Sequence, residues 1–181
     1  SLFLNNLILM VEQVNKELIV IDTTKTVKNE ILSEILNINQ AHVPMVGSLE
    51  NTKDLANLVK MSSLLALTKE NDEITSFIVC LREGTEYRSY NYFYFSEKYK
   101  KFLYIDRIAV KKQYQNKGLG SLLYQKMGEI SNELGLTICA EVNTKPYNET
   151  SIQFHIKHGF EKIGEKSLSK DHEVAYFVKN G

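Results

Sequence analysis

At 181 residues, with 22 Lys plus Arg balanced by 22 Asp plus Glu and a pI near 6.9, the chain has the length of one domain and no charge excess for gripping nucleic acid as its main business. Hydrophobic content of 43% against 24% charged is ordinary globular composition, enough to bury a core without staples. Cys80 and Cys139 each sit in an apolar run, which suits free thiols in a reducing cytoplasm, and no apolar stretch reaches the ~18 residues of a membrane span.

The chain opens SLFLNNLILMV, greasy but with neither a basic flank nor a small-residue cleavage site, so no signal peptide is expected. We read residues 1–16 as an N-terminal extension whose apolar start needs a groove or a partner surface, such as a homodimer would supply. ELIVI at 17–21 has the β-branched make-up of a strand, and Val27, Ile31, Ile35 and Ile38 then recur at near-helical spacing up to Asn39. Pro44 and Gly47 break the chain. Residues 52–61 predict a second helix, with Leu55, Leu58 and Val59 inward and Asn51 or Thr52 as its cap. Residues 63–68 and 74–81 predict a hairpin about Glu70-Asn71-Asp72-Glu73.

Residues 83–101 differ in kind: aromatics such as Tyr87, Tyr92, Phe93 and Tyr99 alternate with polar residues and show no clean period. So long a connection reads either as a binding loop or lid, or as an aromatic cap on one end of the core.

From 102 to 110, FLYIDRIAV alternates as a strand, with Tyr104, Asp106, Ile108 and Val110 on one face and Ile105, Arg107 and Ala109 on the other. Leu119, Leu122, Leu123, Met127, Ile130 and Leu134 make an apolar stripe of helical period. Between them lies Gln115-Asn116-Lys117-Gly118-Leu119-Gly120. A strand feeding a glycine loop that opens a helix offers free N–H groups and the positive end of the macrodipole, a setting for phosphate, with Lys111, Lys112 and Lys117 nearby. Neither nucleotide motif fits, because Lys117 precedes Gly118 and Leu123 stands where a dinucleotide fold has its third glycine.

The chain closes with a strand at 136–142, a loop holding Pro146, and a helix over 148–158 with Asn148 as N-cap, Ile152 and Ile156 on one face and Gly159 as the stop. Two strands at 160–163 and 173–178 follow. His158 and His172 show no ligand spacing with cysteine or carboxylate, so no metal is expected. No repeat or linker divides residues 1–181, which we take as a single domain.

The run Q-x-x-G-x-G after a strand ending Ile-Ala-Val resembles the acetyl-CoA signature of the GCN5-related N-acetyltransferase (GNAT) superfamily. Ala140-Glu141-Val142-Asn143, then Asn148-Glu149-Thr150-Ser151-Ile152, then Gly159-Phe160, are similar to the family's second signature, so the likeness covers roughly residues 102–163. The stretch NYFYFSEKYKKFLYIDRIAV looks like an uncharacterised branch of predicted acetyltransferases. The resemblance implies a mixed α/β (α+β) fold, with a mostly antiparallel sheet of about seven strands, one pair of them splayed, flanked by about four helices.

It implies acetyl-CoA as cosubstrate and no metal. The pantetheine arm would pair with the backbone of Ile108, Ala109 and Val110, and amides of Gln115, Asn116, Lys117, Gly118, Leu119, Gly120 and Ser121 would take the pyrophosphate, with Asn148 touching the arm. The reaction would be direct attack of a primary amine on the thioester. Glu141 matches a position that deprotonates the amine in some relatives, and Asp106 is its rival; the structural reading of either carboxylate is a pairing with Arg107 or with a lysine at the sheet edge. His155 stands where many relatives carry the tyrosine that protonates the thiolate; the other reading is a helix residue packed beside Ile152, with Tyr147 or Tyr114 as the donor. The acceptor, a small amine or a peptide N-terminus rather than nucleic acid or a membrane, would sit under the tyrosine-rich segment. A reading of another class is a non-catalytic module that binds or senses acyl-CoA.

Overall fold

The computed structural model of the protein describes residues 15–180, so the apolar opening, and with it the expectation of a partner surface there, lies outside the described residues. Seven strands, β1 (Lys16–Ile21), β2 (Leu64–Glu70), β3 (Glu73–Arg82), β4 (Phe102–Val110), β5 (Thr137–Lys145), β6 (Glu161–Ser169) and β7 (His172–Asn180), form one sheet in the order β1-β2-β3-β4-β5-β7-β6. All neighbours are antiparallel except β4 and β5. The helices are α1 (Asn29–Gln40), α2 (Thr52–Met61), α3 (Tyr90–Lys98), α4 (Leu119–Leu134) and α5 (Glu149–Lys157). Among the described residues no helix is long and apolar enough to cross a membrane.

Local chemistry explains most boundaries. Asn51 Oδ1 accepts the Asp54 N–H at 2.9 Å to open α2, and Asn148 Oδ1 accepts the Ser151 N–H at 3.2 Å to open α5. Asn71 and Asp72, with φ of 50° and 66°, turn β2 into β3; short polar side chains tolerate that left-handed backbone.

Three expectations about the helices need correcting. Residues 90–98 are a fifth helix instead of part of a long loop: Ser89 caps it, and Tyr92 and Phe95, one turn apart, enter the core while Tyr90 and Phe93 stay outside. The polar residues interleaved with so many aromatics hid the period. In α4 the buried face is Leu123, Tyr124, Met127 and Ser131, whereas Leu122 and Leu134 face solvent; Ser131 turns inward because its hydroxyl donates to the Leu136 carbonyl at 2.8 Å. In α5, His155 joins Ile152 inside and Ile156 is exposed.

Helices cover both faces of the sheet. On the first, Ile35 and Ile38 of α1, Leu55 of α2, and Tyr92 and Phe95 of α3 meet Phe77, Val79, Tyr104 and Tyr176. On the second, Leu123, Tyr124 and Met127 of α4 and Ile152 of α5 meet Ile78, Leu103, Ile105, Ala140 and Phe177. Each large side chain so buried contributes about 1.5–3 kcal/mol.

β4 is where this order bends. Cys80 pairs with Ile105 and Val79 with Arg107, so Asp106 is an extra residue with no partner in β3, a β-bulge. The alternation changes phase there: Tyr104 and Ala109 belong to the first face, while Ile108 packs against the second, so Tyr104 and Ile108 do not share a side. Past the bulge β4 also leaves β5. The two strands pair only at Phe102↔Thr137, Leu103↔Ile138 and Tyr104↔Cys139. Each then continues along its other neighbour alone, β4 with β3 to Val110 and β5 with β7 to Lys145.

Candidate functional site

The separation of β4 from β5 makes a fork whose two inner edges carry peptide groups without a strand partner. Ile108, Ala109 and Val110 lie on one edge and residues 140–142 on the other; farther out Thr144 bridges Tyr147 and the Asn143 carbonyl accepts the Asn148 N–H at 3.1 Å. An extended chain can add between such edges by main-chain hydrogen bonds.

Glu141 stands at the base of the fork, two residues beyond the last β4–β5 pair. It shares its face with Cys139, since Ala140 and Val142 point into the second core. The Tyr104 hydroxyl donates to Glu141 Oε1 at 2.8 Å, whereas Oε2 is closed off from solvent with no partner. Burial pushes the carboxyl up to about 8; the Tyr104 hydrogen bond opposes that rise, the neighbouring Asp106 charge adds to it, and the Glu141 backbone N–H and the nearby Asn91 side chain, which lies outside hydrogen-bond geometry to Oε2, oppose it more weakly. The same surroundings raise the Tyr104 hydroxyl well above the phenol range. Tyr176 donates to Asn91 Oδ1 at 2.9 Å on the same side, tying α3 to β7 beside the carboxylate.

Asp106 is differently placed. Its side chain is buried, and Oδ2 accepts from Arg107 Nε at 2.7 Å. The bulge turns both residues toward the first face, where Arg107 Nη1 also donates to Asn39 Oδ1 at 2.9 Å and to the Gly47 carbonyl at 3.0 Å. A pairing with Arg107 is the structural reading the sequence leaves open for Asp106, but strict alternation puts Arg107 on the opposite side from Tyr104, so its reach to Asn39 and Gly47 and the Tyr104 bond to Glu141 are not legible there.

The glycine loop lies at the open end of β4. Asn116 (φ 61°) and Gly118 (φ 80°) are both left-handed, and Gly118 is the N-cap of α4 with no side-chain cap. The first intrahelical bond runs from the Leu122 N–H to the Gly118 carbonyl at 3.0 Å, so the amides of Leu119, Gly120 and Ser121 are left to an outside acceptor. A Cβ at Gly120 would meet the Phe154 ring at 3.6 Å, ordinary packing contact. The Gln115 side-chain amide donates to the Val110 carbonyl at 3.2 Å and meets His42 Nε2 at 3.2 Å, holding the loop against the strand end. Lys112 and Lys117 are exposed, and Lys111 pairs with Glu73. Phosphate oxygens suit free amides, a helix N-terminus and exposed lysines, so the residues present fit an anionic group here.

His155 sits on the other side of the sheet, 4% exposed, beneath Phe160 and Phe177. Its Nδ1 donates to the Ser151 carbonyl at 2.7 Å and its Nε2 accepts from the Tyr124 hydroxyl at 2.6 Å, which fixes the neutral tautomer. Burial pulls it down to about 4. The fold therefore brings Tyr104, Asp106 and Glu141 together and leaves His155 apart from them. Tyr114 donates to Glu73 Oε2 at 2.8 Å, and Tyr147 is exposed on the loop between β5 and α5. Among the described residues no group of three or more His, Cys, Asp and Glu could hold a metal.

The model of the acetyltransferase (GNAT) family matches residues 34–160, well over half of the chain. Naa50 of Arabidopsis thaliana, solved with the bisubstrate analogue CoA-Ac-MVNAL, is 20% identical, with 92% of this chain and 99% of that one covered and a TM-score of 0.66. The ribosomal-protein-S18-alanine N-acetyltransferase of Escherichia coli is 15% identical over 91% and 94% of the two chains, at 0.63. The yncA protein of Salmonella typhimurium, solved with its cofactor acetyl-CoA, is 16% identical over 91% and 93%, at 0.66. No curated protein matches. At these identities the structural likeness is one of fold.

Proposed function

The chain belongs to the GNAT acetyltransferase family, and from that premise we propose that it moves the acetyl group of acetyl-CoA to a primary amine, with Glu141 as the base. The single observation behind this reading is Glu141 Oε2, a buried carboxylate oxygen without a partner at the base of a forked sheet. An orphaned acceptor there is stabilised by an N–H brought in by substrate. The ammonium form of an amine cannot attack, so a group whose ordinary value near 4.5 has been raised to about 8 is matched to removing that proton near neutral pH.

Acetyl-CoA suits the rest of the site. The arm would lie along Ile108, Ala109 and Val110, the pyrophosphate on the loop from Gln115 to Ser121, and Asn148 beside the arm. Glu141 takes one proton from the ammonium; the neutral amine nitrogen then bonds to the carbonyl carbon while the carbon–sulfur bond breaks, and the second proton that the nitrogen sheds as the amide forms goes to the departing thiolate. His155 is spoken for by Ser151 and Tyr124 and is given a packing role. Asp106 is given a structural one through Arg107. The family favours this enzyme over a non-catalytic acyl-CoA module.

The acceptor we favour is a peptide N-terminus or a small amine, as with the CoA-Ac-MVNAL complex of Naa50. Tyr92 and Phe95 are committed to the core, so any aromatic contact to it falls to Tyr87 or to the exposed Tyr90 and Phe93. Two free buried thiols, Cys80 and Cys139, support a cytoplasmic setting. The test is release of free thiol from acetyl-CoA over a panel of small amines and peptide N-termini, wild type against Glu141→Gln. We expect one acceptor class to be turned over and the variant to lose it; equal turnover by both proteins would remove Glu141 from the chemistry.

A further inference from the structure

We infer that Arg107 is a positioning residue for the acceptor, clamping the connection between α1 and α2 across the mouth of the fork. The inference rests on the proposed transfer at Glu141, but its physical content is separate. A buried arginine–carboxylate pair on a strand is not a cheap source of stability, because desolvation offsets most of the attraction and apolar residues of the same volume commonly serve better. What such a pair does supply is a fixed direction for the rest of the guanidinium.

Here that direction is the 41–51 segment. With Nε held by Asp106, Nη1 donates both to Asn39 Oδ1 and to the Gly47 carbonyl. Asn39, fully buried at the end of α1, donates through Nδ2 to the same Gly47 carbonyl at 3.0 Å and to Gln40 Oε1 at 2.9 Å. Gln40 in turn accepts the Leu49 N–H at 3.0 Å and meets Ser48 Oγ at 3.1 Å. One guanidinium thus anchors a short network that sets the shape of the connection from Ala41 onward.

The connection then reaches the opposite strand. The Asn143 amide approaches Met45 Sδ at 3.8 Å, and Asn143 is itself held by His172 Nε2 at 2.8 Å. Asn143 follows Glu141 by two residues on β5, so Met45 arrives on the side where Glu141 points. A segment fastened to β4 at Gly47 and touching β5 at Met45 bridges the two strands beyond the point where their own pairing stops. Met45 is 43% exposed, so it is placed as a wall of the opening. An acceptor entering toward Glu141 must pass it.

The experiment compares wild type with Arg107→Met, Arg107→Lys and Asn39→Ala, reading KM for amine and for acetyl-CoA separately and amide hydrogen exchange along the chain. For Arg107→Met we expect about a tenfold rise in the amine KM, little change in the acetyl-CoA KM, and faster exchange confined to 41–51. Lysine keeps the charge but cannot fork, so Arg107→Lys should resemble Arg107→Met. Asn39→Ala keeps the Asp106 pair and should give the same KM split, which keeps the test open if Arg107→Met fails to fold. Unchanged exchange at 41–51 would overturn the clamp. Faster exchange with an unmoved amine KM would overturn the acceptor role. If wild type turned over no amine, the proposed function would fail while exchange still decided the clamp.

Discussion

Each face of the sheet buries a group that burial drives toward neutrality, and the two are held in opposite ways. On the first face Glu141 has one oxygen held by Tyr104 and the other free. On the second, His155 has both nitrogens occupied, by Ser151 and Tyr124. Burial drives both toward neutrality, Glu141 up to about 8 and His155 down to about 4. Perturbation is therefore common to both, and what separates a candidate base from a core histidine is an unpartnered atom beside a gap in the strands. A perturbed pKa alone would have chosen both.

The largest effect that can break this contrast is on chemistry. Glu141→Gln should lower kcat by about 10²–10⁴ with the fold intact, measured as thiol release. In wild type, kcat/KM should climb with pH toward a limb near 8, where Glu141 loses its proton, and the variant should lack that limb. His155→Phe should keep most of the turnover.

The next effect is on binding. Gly118→Ala places a side chain on a backbone with φ of 80°, at a strain of about 1–2 kcal/mol. We expect roughly a tenfold rise in the acetyl-CoA KM with the amine KM unmoved; equal rises in both would show that the loop acts on the whole fold.

Stability sharpens the contrast further, because the two groups have opposite signs. Glu141, whose folded value of about 8 lies above 4.5, holds its proton in the folded chain, so its contribution is complete at low pH and is lost as pH rises through about 8. His155, at about 4 against 6.5, contributes fully above 6.5 and loses that contribution as pH falls toward 4. Urea midpoints at pH 5 and pH 9 should show Glu141→Gln relieving the alkaline loss. His155→Leu alone should cost about 1–3 kcal/mol by orphaning the Tyr124 hydroxyl, and adding Tyr124→Phe should recover part of it. The smallest change is Asn51→Ala, about 1 kcal/mol from the α2 cap and nothing at the site.

Short-range physics was legible in the chain itself. The Asn51 and Asn148 caps, the Asn71-Asp72 turn, the strand at Phe102–Val110 and the glycine loop opening a helix all depend on neighbours within a few residues, and all are present. Glu141 enters as the proposed base through likeness to a family, and the fold adds its place at the base of the fork. The bulge at Asp106 was not, because it is a mismatch between β3 and β4 and neither strand contains it alone. That one extra residue moved Ile108 to the other face and sent Arg107 to Asn39 and Gly47. The α3 helix was decided in the same way, by which core each side chain could reach once the sheet had formed, and so was the turn of His155, for which packing beside Ile152 is one of two readings the sequence leaves open. Periodicity tells a residue which way its own strand or helix faces; which partners complete or leave open its hydrogen bonds is settled only between elements distant along the chain.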